Sequence, residues 1–270
     1  MAPSPTLDEI GDRYRVILCD IWGCIHDGVN LYPGAAARLA RWRGEGRTTI
    51  LITNAPRTAE AVARQLVRLG LDPELWDGIA TSGDAGIEAL NKAARPVGFI
   101  GTQSDRAILE GSGVRITDTG DFDELACSGL DGRRRQVAEY EEQIRPLAER
   151  DVLMHCLNPD RVVILDGQPV PCAGAIADRY IELGGRVEWY GKPYPAIYRH
   201  ALRLAGDAPP DQILAIGDGL ETDTLGAARM GMDCVYVTGG IAQGQSMPAG
   251  FAAKHGLDDW RPLAVVEGLR

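Results

Sequence analysis

Three stretches of this 270-residue chain place a reactive polar residue directly after an apolar, β-branched run: Arg15-Val-Ile-Leu-Cys-Asp20, Thr48-Thr-Ile-Leu-Ile-Thr53 with Asn54, and Gln212-Ile-Leu-Ala-Ile-Gly217 with Asp218. One Asp at a strand end is more often a turn or helix cap than a reactive group. Three such ends from distant positions shift the odds, because an open parallel sheet binds ligands outside the carboxyl ends of its strands. If the strands are neighbours, two carboxylates, a hydroxyl and an amide converge on one spot. Asp20 and Asp218 could then hold one hard cation, and Mg²⁺ takes one or two carboxylates while keeping several waters. A fourth stretch, Gly191-Lys192-Pro193, offers a close backbone approach, a fixed turn and a point positive charge. Taken alone, a lysine before a helix is a surface residue.

These residues need a scaffold, and the apolar spacing supplies one. Strands are expected at 15–20 and 48–53, with a helix at about 33–43 between them, closed by Gly44 and Gly46. Thr58 opens a helix whose Val62, Leu66 and Leu69 share one face and which Gly70 ends. The same grammar returns with a helix at 195–205, a strand at 212–217, a helix at 224–230 and a strand at 234–238. Nearly continuous apolar strands alternating with helices predict a parallel sheet covered on both faces. Between these ends, strands are expected at 97–101, 124–128, 151–157 and 161–165, with helices at about 134–149 and 173–183. The expectation is an α/β protein: a doubly wound core from residues 1–79 and 187–270, with a smaller α/β domain inserted at 80–186.

Composition narrows the function. With 45% hydrophobic and 24% charged residues the chain is ordinary globular material. No window approaches the roughly 18 apolar residues that cross a bilayer, and the polar, proline-containing start over 1–13 reads as a flexible lead-in rather than a secretory signal. A net charge of −10 argues against nucleic acid and means that phosphates must be held by a local site against a repulsive field. The one basic run, Arg133-Arg134-Arg135, precedes the acidic 139–142 and reads as a solvated helix face. Six cysteines without a CxxC pair read as buried thiols of a reducing cytoplasm, and four histidines show no zinc spacing. His155 is expected to be hydrogen-bonded within a strand. Trp189 and Tyr190 are expected in a strand or the core, and Gly239-Gly240 in a loop.

The four pieces, in this order from residue 20 to residue 223, resemble the four motifs of the haloacid dehalogenase superfamily, and in detail its class IIA, the NagD-type and p-nitrophenyl-phosphatase-like branch. The opening D-x-D-G is met by Asp20-Ile-Trp22-Gly23-Cys24, followed by Ile25-His26-Asp27-Gly28. T-N is met by Thr53-Asn54. G-K-P-x-P is met in full by Gly191-Lys-Pro-Tyr-Pro195, and G-D-x-x-x-T-D in full by Gly217-Asp-Gly-Leu-Glu-Thr-Asp223. An N-P-D turn occurs as Asn158-Pro-Asp160, followed by a helix start at Cys172-Ala-Gly-Ala-Ile176. A lone T-N or G-D is worthless evidence; the ordered set, covering about residues 15–240, is specific.

The resemblance implies that Asp20 is a nucleophile forming an aspartyl-phosphate. It implies Mg²⁺ on Asp20, the main-chain carbonyl of Trp22 and Asp218, with Asp223 supporting that shell or orienting Lys192. Thr53 and the N–H groups around Asn54 would hold the transferring group, and Lys192 would balance Asp20 and the phosphate. Asn158 and Asp160 would face the substrate, a small phosphorylated metabolite of a class that includes sugar and polyol phosphates. Self-association of the chain is left open.

One departure matters. The family's general acid/base, two residues after the nucleophile, is Trp22 here, and an indole N–H cannot protonate an alkoxide. Such help is typically worth roughly 100- to 10,000-fold. Three readings stay open: a phosphatase slow on alkyl phosphates, with His26 and Asp27 the nearest replacement groups; a dehalogenase, since 2-haloacid dehalogenases also carry an aromatic residue there but need no metal; or a member that binds a phosphorylated ligand without turnover.

Overall fold

The computed structural model describes residues 6–165, 168–240, 246–258 and 260–270. In chain order the first elements are β1 (Val16–Asp20), α1 (Ala35–Gly44), β2 (Thr48–Thr53), α2 (Ala59–Arg68) and β3 (Gly78–Thr81). Next come α3 (Ser82–Leu90), β4 (Gly98–Ile100), α4 (Gln103–Gly111), β5 (Glu124–Cys127), α5 (Glu141–Glu149), β6 (Leu153–Cys156), β7 (Val162–Leu165), β8 (Gln168–Pro171), α6 (Ala173–Glu182) and β9 (Arg186–Trp189). The last are α7 (Pro195–Leu204), β10 (Ile213–Gly217), α8 (Leu225–Arg229), β11 (Asp233–Val237), α9 (Phe251–Lys254) and β12 (Ala264–Val266). The chain divides into two compact units, one of residues 1–53, 59–80 and 192–270, the other of residues 54–58 and 81–191.

The first unit carries a six-stranded sheet in the order β12-β11-β10-β1-β2-β3. From β1 the chain steps outward through β2 to β3, and later from β10 outward through β11 to β12, so the order reverses between β1 and β10. That reversal is a topological switch point, where sheets of this kind leave a crevice at their carboxyl edge. Register fixes what lines it: Asp20 pairs with Ile52, and Cys19 with Ile216. Asp20, Thr53 and Asp218 therefore reach the edge together. Below them β1 and β10 are buried along their whole length, as strands with helices on both faces must be. Val16, Leu18, Ile50, Ile52, Ile213 and Ala215 pack on one face against Ile197, Tyr198 and Ala201 of α7. Each fully buried Leu or Ile there contributes about 1.5–3 kcal/mol, which holds the edge in place.

The second unit is a smaller α/β layer: a parallel sheet in the order β4-β5-β6-β9 and an antiparallel hairpin β7–β8. Leu125, Cys127, Met154 and Cys156 pack with Ile144 and Leu147 of α5 and with Ile176, Ala177 and Tyr180 of α6. β9 pairs with β6, so the return to the first unit falls at Lys192.

Two expectations need correction. The lead-in is not loose where it is described: Leu7 and Ile10 are buried, and Asp8 accepts from Arg38 and Arg41 at 2.7 and 2.6 Å. Apolar residues spaced three apart and an ion pair anchor it; residues 1–5 lie outside the described residues. The helix expected from 134 begins only with a 3₁₀ turn at Val137–Tyr140. Asp131 holds the N–H groups of Arg133 and Arg134 in a turn, and Glu139 takes those of Arg135 and Gln136, so the arginine run is a capped loop rather than a helix face. No described helix is long and apolar enough to cross a membrane.

Candidate active site

Asp20 ends β1 and is buried, and Lys192 Nζ donates to its Oδ1. The same ammonium donates to Asp223 Oδ1 at 2.7 Å and to the carbonyl of Ile52 at 3.4 Å. Lys192 is only 3% exposed. Burial by itself would push its pKa down, but the carboxylates of Asp20 and Asp223 outweigh that and hold it well above the usual lysine range. It stays an ammonium. Asp20 is driven the other way, well up, first by burial and then by the nearby charge of Asp223, against the pull of Lys192. One ammonium thus pairs with two buried carboxylates, Asp20 and Asp223. The opposite oxygen of Asp223 accepts from Gly219 N–H at 3.1 Å and Thr222 Oγ1 at 3.2 Å, so this carboxylate is spent on orienting Lys192 and on its own turn.

Asp218 follows β10 and lies in a cradle of glycine backbone. A Cβ on Gly23, whose φ is +94°, would sit 2.0 Å from Asp218 Oδ2, and one on Gly240 would sit 2.2 Å from it. Only glycine allows both loops to close on that carboxylate. Ligand atoms of Asp20, Asp218 and Cys24 all lie within 4.8 Å of one another, and all three side chains are buried. Buried carboxylates brought this close repel one another, which a retained proton or a bound cation relieves. The donor set, two carboxylates at the carboxyl edge of a parallel sheet, fits a hard dication such as Mg²⁺.

The loop leaving β1 settles the roles of the nearby groups. Trp22 packs edge-on to the His26 ring, with centroids 5.6 Å apart. His26 is buried and its Nδ1 accepts the Gly28 N–H at 2.9 Å, so a neutral ring carries its proton on Nε2. Burial lowers its pKa. Asp27 accepts from the N–H groups of Val29 and Asn30 at 2.8 and 2.7 Å, and these bonds hold its carboxyl below the usual range. Asp27 is thus a loop-forming residue, fixed as an anion. Thr53 is buried at the end of β2 beside this edge.

Within the second unit, Asn54 Nδ2 donates to Asp160 Oδ1 at 2.8 Å, and Asn158 Oδ1 accepts the Asp160 N–H at 3.0 Å. A Cβ on Gly191 would meet Asn54 Oδ1 at 2.4 Å. The N-P-D turn is therefore tied to Asn54 through Asp160, and Asn158 spends its side-chain carbonyl on the turn itself. His155 is hydrogen-bonded, as expected, between Tyr190 Oη and Glu124 Oε2, both at 2.7 Å. Trp189 ends β9 and Tyr190 is buried.

Sequence reasoning missed two parts of the site. Cys24 was grouped with the buried thiols, which it is, but it also borders the two carboxylates. Gly23 and Gly240 form the cradle; the G that follows D-x-D was the only signal for the first, and the second was legible only as part of the Gly239-Gly240 loop.

Comparison with known proteins agrees with this architecture. Residues 17–115 match the haloacid dehalogenase-like hydrolase family and residues 189–269 the HAD-hydrolase-like family. Chronophin from Rattus norvegicus is 27% identical over 97% of this chain and 88% of its own length. Ribonucleotide monophosphatase NagD from Escherichia coli K12 is 28% identical over 84% of this chain and 88% of its own. A haloacid dehalogenase-like hydrolase from Brucella suis 1330 superposes with a TM-score of 0.85 at 33% identity, covering 98% of both chains. Matched by these families over 17–115 and 189–269 and by that hydrolase over 98% of its length, this chain belongs to the haloacid dehalogenase-like hydrolases, in the NagD-type branch.

Proposed function

We propose that this chain is a Mg²⁺-dependent phosphatase that hydrolyses a small phosphorylated metabolite through an aspartyl-phosphate on Asp20. The observation that carries the reading is the Asp20 carboxylate at the end of β1, bonded to Lys192 and within 4.8 Å of Asp218. The relatives named as a phosphatase or as a hydrolase of this fold point the same way.

The chemistry follows from the residues. An Asp20 oxygen attacks phosphorus, the bond to the leaving oxygen breaks, and the phosphoryl group rests on Asp20; attack by water on that phosphorus then releases phosphate and restores the carboxylate. Lys192 holds the Asp20 carboxylate in place and offsets charge on the entering anion, and Asp223 fixes the lysine. Asp20, the Trp22 carbonyl and Asp218 would hold Mg²⁺, which when bound neutralises charge on the phosphoryl oxygens. Thr53 and the N–H groups about Asn54 would receive those oxygens, with Asn158 and Asp160 assigned to the substrate side. The leaving oxygen finds no carboxylic acid at position 22. Good leaving groups, aryl phosphates above all, should therefore react faster than alkyl phosphates. Attack of Asp20 on carbon needs no cation, so the paired carboxylates favour phosphorus.

The test is phosphate release from p-nitrophenyl phosphate and from glycerol phosphate, with Mg²⁺ and with chelator. Expected is metal-dependent release, faster on the aryl ester, that Asp20→Asn lowers by about 10⁴-fold or more. Chelator-insensitive halide release from a 2-haloacid would replace this reading, and tight binding of phosphate esters without release would reduce it to a binding function.

A further inference from the structure

We propose that Cys24 is a soft ligand facing the same cation site, so that its thiol, with the Asp20 and Asp218 carboxylates, captures a dication of the Zn²⁺ or Cd²⁺ type and takes Asp20 out of reaction. The inference needs only the three side chains, not phosphatase turnover.

Geometry comes first. The three ligand atoms lie within 4.8 Å of one another. Tetrahedral zinc with Zn–S near 2.3 Å and Zn–O near 2.1 Å separates its ligands by roughly 3.5 Å, so adjustments of about an ångström close the set. Three protein ligands would also leave a fourth position open, as tetrahedral sites often do.

Partners come second. Thiols of Cys19, Cys156 and Cys172 donate to backbone carbonyls, and Cys127 takes a backbone hydrogen bond from Gly129. Cys24 Sγ, 2% exposed, has no hydrogen bond among the described residues and borders two carboxylates. Together with Gly23, Tyr32, Val237 and Gly239, Cys24 also lines a cavity of about 390 Å³.

Chemistry comes third. Carboxylates suit Mg²⁺, whereas thiolate selects the softer ions. Capture forms a metal–sulfur bond and breaks the S–H bond; no electrons are exchanged, and the proton leaves to solvent. Hard and soft ions therefore compete for Asp20 and Asp218, and only the soft one engages Cys24.

Titration of the Mg²⁺-free full chain with Cd²⁺, followed by the ultraviolet sulfur-to-cadmium charge-transfer band, tests this directly. Expected is a band worth one thiolate per chain that excess Mg²⁺ suppresses. Cys24→Ser should abolish the band and weaken Cd²⁺ binding by at least about tenfold, a far larger change than in Mg²⁺ binding measured calorimetrically. Asp218→Asn should weaken the band as well. A wild-type chain without the band, a band that survives saturating Mg²⁺, or a band retained in Cys24→Ser each overturns the proposal. The Mg²⁺ competition needs no variant, so a folding defect in Cys24→Ser leaves the test decisive. Absence of Mg²⁺-dependent phosphate release would instead sink the phosphatase reading and leave this result standing.

Discussion

In the six-stranded sheet, β1 ends on Asp20, β2 on Thr53, and β10 runs into Asp218; in the four-stranded sheet, β4, β5, β6 and β9 run into Gly101, Ser128, Leu157 and Tyr190. Both sheets are parallel, both are covered by helices, and both hold a buried polar network. The networks differ in charge. His155 takes the Tyr190 hydroxyl at Nδ1 and meets Glu124 at Nε2, and burial lowers its pKa, so a neutral imidazole satisfies both partners. Lys192 instead pairs with two buried carboxylates, Asp20 and Asp223, and Asp218 is buried beside Asp20. A closed neutral network fixes a fold; buried charges gathered at a strand edge make a candidate site.

That contrast can be broken most sharply at Lys192. Lys192→Met should lower kcat by about 10²- to 10³-fold. It should also cost the metal-free protein about 3–5 kcal/mol in urea unfolding, because the buried carboxylates lose their ammonium. Unchanged stability would mean that these charges are not confined as described. Next in size is Trp22→Asp, which places an acid two residues after Asp20. Hydrolysis of an alkyl phosphate should rise by about 100-fold, with little gain on p-nitrophenyl phosphate. Equal gains on both esters would show that proton supply is not what Trp22 withholds.

Gly23→Ala should act through metal binding rather than folding. Its Cβ would collide with the Asp218 carboxylate and its φ of +94° would be strained, so the Mg²⁺ needed for half-maximal rate should rise by about 10- to 100-fold. The smallest effect belongs to the other sheet. His155→Phe leaves the Tyr190 hydroxyl and Glu124 without their partner and should cost about 1–3 kcal/mol, with kcat/KM unchanged. It should also alter the pH dependence of stability. The folded state holds His155 neutral below its ordinary pKa of 6.5, so the unfolded chain binds a proton first as pH falls. The contribution is present above about 6.5 and is lost as pH drops below it; His26, also lowered, adds the same sign. Thermal melts between neutral and mildly acidic pH should therefore show a shallower loss for His155→Phe than for wild type.

Much of the first unit was legible because its strands are long, apolar and buried on both faces. Residues 48–53 were delimited to the residue, and β1, β10 and β11 to within one or two. The shorter elements were harder. In the first unit, β3 is a four-residue Gly-Ile-Ala-Thr; in the second, β9 alternates charged with apolar residues at a sheet edge, and α3 and α4 were also unforeseen. Such segments acquire structure from pairing and packing rather than from local preference. Asp20, Lys192, Asp218 and Asp223 were singled out because four motifs in order are far more specific than any one of them.

Sequence by itself determined the residue types at the strand ends, the covered parallel sheet and the indole rather than a carboxyl at position 22, since these follow from local pattern and side-chain chemistry. Tertiary structure alone decided that Asp223 grips Lys192, that Gly23 and Gly240 enclose Asp218, and that Cys24 borders the paired carboxylates. Those facts depend on register between strands far apart in sequence and on backbone approaches of a few ångströms. A linear pattern encodes neither.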